Sequence, residues 1–349
     1  MAIDPTYPLF PIVALISCVM LLHVLGTGLV RQSWNFGVMA LCFGLFWLNL
    51  TFAVSHIVWA HSADLKAYVY CDIATHIQIF VAILRPASTL IITRRLYLIL
   101  AEGGLHPPSR REVGQLAFLA ISLTTPLSII DYIVQSSRFG IMLGVGCFEG
   151  LADTYLSVLL LGSWSVTLPL ISCTFFPAWI VWQIIRRRRE IAELRGSNGT
   201  AISGSYFRIL AIASLDILLT LPSGIAQFVL NLVSLVEEGA PFYSSWAEVH
   251  QDFAPISVSG TGGSPASLAL TYLTFWMPVV LALLISLLIG TTRESFERYQ
   301  LVFRRIATSF GFPRRRCSTG QDISFIILGA RGDPETAYAD LLRRVGLCV

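Results

Sequence analysis

The sequence predicts an all-α membrane protein, a bundle of seven transmembrane helices. Of its 349 residues, 55% are hydrophobic and 13% are charged, whereas about 25% of the residues in a typical soluble domain are charged. Seven apolar blocks are long enough to cross a hydrocarbon layer about 30 Å thick at about 1.5 Å per residue. Basic residues gather on alternate connections between these blocks, as they do in multi-pass membrane proteins.

The predicted spans follow one another closely and together form a transmembrane domain of residues 1–293. In chain order they are residues 8–30, 36–60, 73–93, 113–134, 155–185, 209–236 and 267–289. Several contain proline, which a bundle in lipid tolerates because neighbouring groups satisfy the freed carbonyls. We expect most of these prolines to shape the bundle: Pro86, Pro126, Pro169, Pro177, Pro222 and Pro278. After the last span, the sequence predicts an amphipathic inner-leaflet helix over 294–312 and a weakly ordered cytoplasmic tail over 313–349.

The distribution of arginine predicts the orientation of the bundle. Of the 24 basic residues, 21 follow the first, third, fifth or seventh span. Basic residues close to span ends remain in the cytosol. The sequence therefore predicts an N-terminus outside and a C-terminus in the cytoplasm, with several carboxylates on the outer loops.

The same residues exclude several classes of membrane protein. A retinal protein needs a lysine inside its last span, and the single lysine, Lys66, lies in a predicted outer loop. No HExxH motif and no glycine-rich phosphate loop occurs in the sequence. We therefore expect neither an enzyme nor a metal, cofactor or nucleic-acid site. A seven-span transporter or lipid-handling protein remains the alternative to a receptor.

Two charged residues lie at mid-membrane depth, where a charge is costly and usually functional. Arg85 lies 10 residues outward of Arg95, about 15 Å along a helix axis, and Asp216 lies 8 residues outward of Arg208, about 12 Å. Because their depths match, we expect Arg85 and Asp216 to form a switch pair between the third and sixth spans. In the alternative, Asp216 is protonated and bonds a neighbouring backbone, and Arg85 faces a wet cavity.

Cys71 and Cys147 are the only cysteines predicted to lie on the outer side of the membrane. The outer compartment is oxidising, so a disulfide between the second outer loop and the top of the third span is chemically allowed. Two free thiols near the interface are the alternative.

Several segments resemble one receptor family. The run Leu90-Ile91-Ile92-Thr93-Arg94-Arg95-Leu96-Tyr97 resembles the third-span signature of fungal mating-pheromone receptors of the a-factor-receptor type. Gly146-Cys147 followed by Glu149 is similar to that family's second outer loop, and Asp216 with Leu221-Pro222 resembles its sixth span. The similarity covers roughly residues 9–293. The chain lacks the Asp-Arg-Tyr and Asn-Pro-x-x-Tyr motifs of rhodopsin-like receptors.

This resemblance implies a class D G protein-coupled receptor of the basidiomycete-like lipopeptide type, in the plasma membrane. The implied partners are a farnesylated peptide pheromone, a heterotrimeric G protein and membrane lipid, and a homodimer is left open. The residues assigned to G protein coupling lie at the inner ends of the third, fifth and sixth spans: Arg94, Arg95, Tyr97, Arg186, Arg187, Arg188, Arg189 and Arg208. Anchoring at the lipid interface is the alternative for these residues.

The ligand-binding candidates lie on outer loops and outer span halves. A farnesyl chain needs an apolar cleft, and outer carboxylates attract a cationic peptide. The candidates are His76, Gln78, Glu149, Asp153, Asn231, Trp246, Glu248, Tyr272 and Trp276. For most of them, packing or interfacial anchoring is the alternative, and we expect about a third to contact ligand.

Overall fold

The computed structural model describes residues 6–30, 36–102, 114, 131–175, 200–258 and 265–290. All of them lie in the first of the chain's two compact units, Met1–Thr292. The second unit, Arg293–Val349, lies outside the described residues. The predicted inner-leaflet helix of 294–312 and the tail of 313–349 therefore also lie outside them.

Long apolar helices form the bundle. They are α1 (Leu9–Val30), α2 (Phe36–Val58), α3 (Tyr68–Glu102), α6 (Thr200–Glu238) and α7 (Pro265–Gly290). Between α3 and α6 lie a short helix, α4 (Tyr155–Ser157), a π-helical segment (Val158–Gly162) and α5 (Trp164–Phe175). Five helices in the described part of the chain are long and apolar enough to cross a membrane, or six if the bent segment from Tyr155 to Thr174 is one span.

The predicted spans overlap these helices, with differences at their ends. α3 and α6 extend beyond the predicted blocks 73–93 and 209–236 on both sides. Hydropathy marks contact with lipid, whereas backbone hydrogen bonds carry a helix beyond the hydrocarbon layer. The fifth span, predicted as one block over 155–185, bends by 42° between Gly162 and Trp164. Most of the fourth predicted span lies outside the described residues.

The bundle packs around a core shared by five helices. Leu45 of α2, Ile92 of α3, Ile212 of α6 and Ile285 of α7 are among its fully buried residues. Leu21 of α1 joins them. These residues come from apolar faces whose opposite faces carry exposed leucine, isoleucine and valine. Such apolar surfaces on both sides are expected of helices that meet protein on one side and lipid on the other.

The described residues are mostly helical, as predicted, and also contain a small β-sheet. Strands β1 (Gly140–Met142) and β2 (Gly146–Phe148) form an antiparallel hairpin, and β3 (Ile256–Val258) pairs parallel to β1. The pairing joins the connection after the fourth predicted span to the connection after α6. Strands of three residues are too short to give a hydrophobic period, so the sequence could not reveal them.

Gly146 lets the hairpin approach α2 closely. Its φ is +96°, in the region that favours glycine, and a Cβ there would lie 2.5 Å from Cβ of Ser55. In the turn of the hairpin, the backbone N–H of Gly144 donates to the carbonyl of Trp59 at 3.0 Å. Both contacts hold the hairpin on the end of α2.

A disulfide joins the hairpin to α3. Cys71 and Cys147 are bonded, with their Cα atoms 5.4 Å apart, and Trp59, Phe139 and Ile141 bury the bridge. Close by, Arg138 Nε donates to Asp72 Oδ1 at 2.9 Å, so an ion pair supports the same junction. We call this end of the bundle, with the sheet and the Cys71–Cys147 bridge, the disulfide end.

Candidate functional site

A cavity of about 630 Å³ lies between the helices and below the hairpin. Its volume falls within the range of sites for small ligands. Every helix from α2 to α7 contributes to its lining, and Phe148 of β2 covers it at the disulfide end. Three intrahelical prolines, Pro86, Pro169 and Pro278, line it. The cavity therefore lies at the level where three helices lose a backbone hydrogen bond.

An ion pair closes the inner end of the cavity. Arg85 Nε donates to Asp216 Oδ1 at 3.0 Å, and the two side chains are 12% and 1% exposed. The hydroxyl of Thr89, one turn beyond Arg85 on α3, donates to the other carboxylate oxygen of Asp216. Both oxygens of Asp216 are thus hydrogen-bonded by α3, as a buried carboxylate requires. Thr89 was not predicted from the sequence, because its role depends on the packing of α3 against α6.

A polar stripe on α6 forms one wall of the cavity. Its members recur every three or four residues and all line the cavity: Thr220, Ser223, Gln227, Asn231, Ser234 and Glu238. We call these six residues the α6 polar stripe. Of these six residues, only Asn231 was predicted from the sequence as a ligand-binding candidate, although helical spacing of polar residues in an apolar span was a detectable signal. Gln227 and Asn231 are exposed. Amides at this depth would be costly against lipid, so the cavity gives them a polar surrounding.

Gly224, next to this stripe, allows α5 and α6 to touch. A Cβ at this position would lie 2.8 Å from the backbone oxygen of Ser165. A larger residue would therefore separate the two helices beside the cavity.

Three carboxylates line the cavity toward the disulfide end: Glu149, Asp153 and Glu238. Burial raises the pKa of the Glu149 carboxyl from its ordinary 4.5 to about 7, and the charge of nearby Asp131 adds to the rise. Asp131 is 2% exposed. The disulfide end of the cavity therefore carries negative charge opposite the guanidinium at its inner end, and part of that charge titrates near neutral pH.

The raised pKa of Glu149 predicts a pH-dependent stability. Its folded-state pKa lies above the unfolded value, so the protonated carboxyl favours the folded state. This contribution to the free energy of unfolding is complete below about pH 4.5 and is lost as pH rises to about 7. We expect Glu149→Gln to match the parent protein near pH 4.5 and to unfold a few degrees higher above pH 7. Thermal unfolding of purified protein across this range measures the difference. Glu248→Gln, at an exposed carboxylate, is the control, and parallel curves for Glu149→Gln and the parent would contradict the prediction.

The structure brings four of the nine ligand-binding candidates to the cavity: Gln78, Glu149, Asp153 and Asn231. Gln78 has a structural contact as well, because its Nε2 donates to the carbonyl of Cys147 at 3.2 Å. This bond fixes the disulfide-linked hairpin against α3.

The other five candidates do not line this cavity. His76 is exposed, and its Nδ1 lies 2.7 Å from the carbonyl of Asp72 on its own helix. Trp276 packs against Phe10 of α1, with ring centroids 5.4 Å apart, and Tyr272 is partly buried one turn earlier on α7.

Trp246 and Glu248 lie on an exposed helical turn, Trp246–Val249, near the disulfide end. Trp246 stacks on His250 with ring centroids 3.9 Å apart, and both rings contact Tyr132. Aromatic clusters of this kind are typical of a membrane–water interface.

Some of the residues assigned to G protein coupling belong to the described part of the chain, and these lie at the opposite end of the bundle. Arg94 is exposed, and Arg95 and Tyr97 are partly exposed on α3. Arg208 is partly exposed on α6. The run Arg186, Arg187, Arg188 and Arg189 lies outside the described residues.

Comparison with known proteins identifies the family. A family model described as "Pheromone A receptor" matches residues 9–310. The chain belongs to the pheromone A receptor family. This result confirms the resemblance to a-factor-type pheromone receptors, and the family together with the apolar helices makes the chain a multi-pass membrane protein.

Several known receptors are similar to it. The "Pheromone B alpha 2 receptor" of Schizophyllum commune is 30% identical over 90% of this chain and 48% of its own length. The "Pheromone receptor 1" of Ustilago hordei is 30% identical over 70% of this chain and 68% of its own length. The "Pheromone a factor receptor" of Saccharomyces cerevisiae is 21% identical over 62% of this chain and 51% of its own length. The chain spans about half the length of the Schizophyllum commune receptors that it matches.

Proposed function

We propose that this pheromone receptor binds a farnesylated peptide pheromone and activates a heterotrimeric G protein at the plasma membrane. In this proposal seven spans cross the membrane, and the N-terminus and the disulfide end face outward. The observation that carries the proposal is the cavity of about 630 Å³, which lies below the disulfide end and reaches a buried ion pair between α3 and α6.

The lining of the cavity suits a ligand that is both apolar and polar. Phe52, Leu161 and Phe275 give it apolar walls, and the α6 polar stripe provides hydrogen-bonding groups along one side. A farnesyl chain would bury its surface against the first set, at about 25 cal/mol for each Å² removed from water. Peptide amide groups would bond to the second set, and the three carboxylates would attract a basic peptide.

The orientation is supported by the chemistry of the two ends. A disulfide persists in an oxidising compartment, which the outer side of a plasma membrane provides. Arg94 and Arg208 lie at the other end, as expected for cytoplasmic basic residues. In the proposal these arginines, with Arg95, Tyr97 and the Arg186–Arg189 run, contact acidic surfaces of the G protein.

The Arg85–Asp216 pair supports a switch between two arrangements of the bundle. Asp216 is buried and Arg85 is only 12% exposed, and they belong to two different long helices. We propose that the pair holds α3 against α6 in the inactive receptor. A ligand that binds beside the pair would favour an arrangement in which α6 is released, because a ligand shifts an equilibrium by its differential affinity for two states.

Guanine-nucleotide exchange tests the proposal. The receptor is reconstituted in lipid nanodiscs with a heterotrimeric G protein, and exchange is measured with synthetic peptides that differ only in the farnesyl group. We expect the farnesylated peptides to accelerate exchange. The double variant Arg94→Glu with Arg95→Glu should reduce this acceleration at least tenfold while peptide binding persists.

Lys66→Glu, an exposed charge reversal near the disulfide end, is the control and should leave coupling intact. Transport of the peptides into sealed vesicles without any exchange would contradict the proposal and support the transporter alternative.

A further inference from the structure

The charge in the cavity is arranged from one end to the other. Arg85 is the cation among the described lining residues, and it lies at the inner end. Glu149, Asp153 and Glu238 lie toward the disulfide end. Glu238 is 22 residues beyond Asp216 on α6, about 33 Å along the helix axis. A ligand in the cavity therefore meets a hydrogen-bond donor at one end and acceptors at the other.

The donors of Arg85 are not all used. A guanidinium group has five N–H donors and no acceptor. Nε of Arg85 bonds one oxygen of Asp216, and Thr89 bonds the other oxygen. Nη2 of Arg85 is buried and donates to no atom of the described residues. Only Nε of Arg85 bonds Asp216, so the pair lacks the two-pronged geometry that commonly joins arginine to a carboxylate.

We propose that the guanidinium of Arg85 anchors a hydrogen-bond acceptor, an ester carbonyl oxygen, at the inner end of the bound ligand. The inference rests on the proposed function and specifies its ligand chemistry. Arg85 lines the cavity with a side chain that is 12% exposed, and Asp216 bonds only its Nε. A neutral carbonyl fits better than a second carboxylate, because Asp216 already balances the charge of Arg85.

This contact fixes the direction of the ligand. Its carbonyl end lies next to the α3–α6 ion pair, and a basic end faces the carboxylates at the disulfide end. The carbonyl and Asp216 then bond to different N–H groups of the same guanidinium. Ligand binding and the state of the ion pair are therefore coupled through a single side chain.

A pair of matched probes tests the contact. The first is radiolabelled N-acetyl-S-farnesylcysteine methyl ester, and the second is the corresponding methyl ether, which has no ester carbonyl. Saturable binding to full-length receptor in nanodiscs gives both affinities. A hydrogen bond to a charged group makes the ester bind about 10- to 100-fold more tightly than the ether.

Two variants assign that preference to Arg85. In Arg85→Gln, the ester should bind about as weakly as the ether does. Asp216→Ala removes the ion pair but leaves the guanidinium, so the ester preference should remain or increase. If Asp216→Ala abolishes the preference as completely as Arg85→Gln does, Arg85 acts only through the ion pair, and the proposed contact with the ester carbonyl is wrong.

The outcomes separate this inference from the proposed function. Saturable binding of both probes with equal affinity would overturn the carbonyl anchor alone, as would an unchanged preference in Arg85→Gln. The absence of saturable binding by either probe, with no response to any farnesylated peptide in the exchange assay, would overturn the proposed ligand class and the anchor with it.

Discussion

Asp216→Ala is expected to raise basal guanine-nucleotide exchange in the absence of ligand. The change leaves Arg85 as a buried charge without its carboxylate and removes the acceptor of Thr89. Removing one partner of a buried pair typically costs about 3–5 kcal/mol. If that cost falls on the inactive arrangement, it is enough to shift a two-state equilibrium more than 100-fold toward the active one.

A charge swap decides whether the pair itself is responsible. The double variant Arg85→Asp with Asp216→Arg should recover a large part of the low basal exchange that each single change loses. Recovery should be incomplete, because Thr89 then faces an arginine, which has no acceptor. Surface abundance is measured in parallel, so that loss of folding is not taken for a change in signalling.

Ser214→Ala is the matched control on the same helix. Its side chain is exposed and bonds the carbonyl of Leu210 on α6 itself. Normal basal exchange in Asp216→Ala at normal surface abundance would contradict the switch. A swap with no recovery would show that the two residues act separately.

The second large effect, on stability and peptide binding, is expected when the Cys71–Cys147 bridge is removed. The double variant Cys71→Ser with Cys147→Ser opens a loop with a sequence separation of 76 residues. Loss of such a bridge typically costs about 2–5 kcal/mol. We expect a lower unfolding temperature and a loss of saturable peptide binding, because Cys147, Phe148 and Glu149 all line the cavity.

Cys173→Ser is the control for cysteine replacement. Cys173 is a free, partly buried cysteine on α5. It should retain the unfolding temperature and peptide binding of the parent within about 1 kcal/mol. Parent-like stability and binding in the double cysteine variant would show that the Gln78 bond and the Arg138–Asp72 pair hold the hairpin without the bridge.

The sequence by itself determined the class of protein and the course of the helices. In lipid, the backbone N–H and C=O groups of a long apolar block must be hydrogen-bonded within the protein. Composition and length were therefore sufficient to predict membrane helices. The Leu90–Tyr97 run and the loop around Cys147 indicated the family, which the family match over residues 9–310 confirms. Depth along an axis follows from residue number, and it placed Arg85 and Asp216 at matching levels.

The tertiary structure decided which side chains share a space. Rotation about a helix axis decides whether a residue faces a neighbour, the cavity or the outside, and packing sets that rotation. Trp276 thus faces Phe10, whereas Gln227 and Asn231, four residues apart, face the cavity. The three-stranded sheet joins segments more than a hundred residues apart, and such pairing leaves no local pattern in the sequence. For the same reason, the role of Thr89 became visible only when α3 and α6 came together around one buried carboxylate.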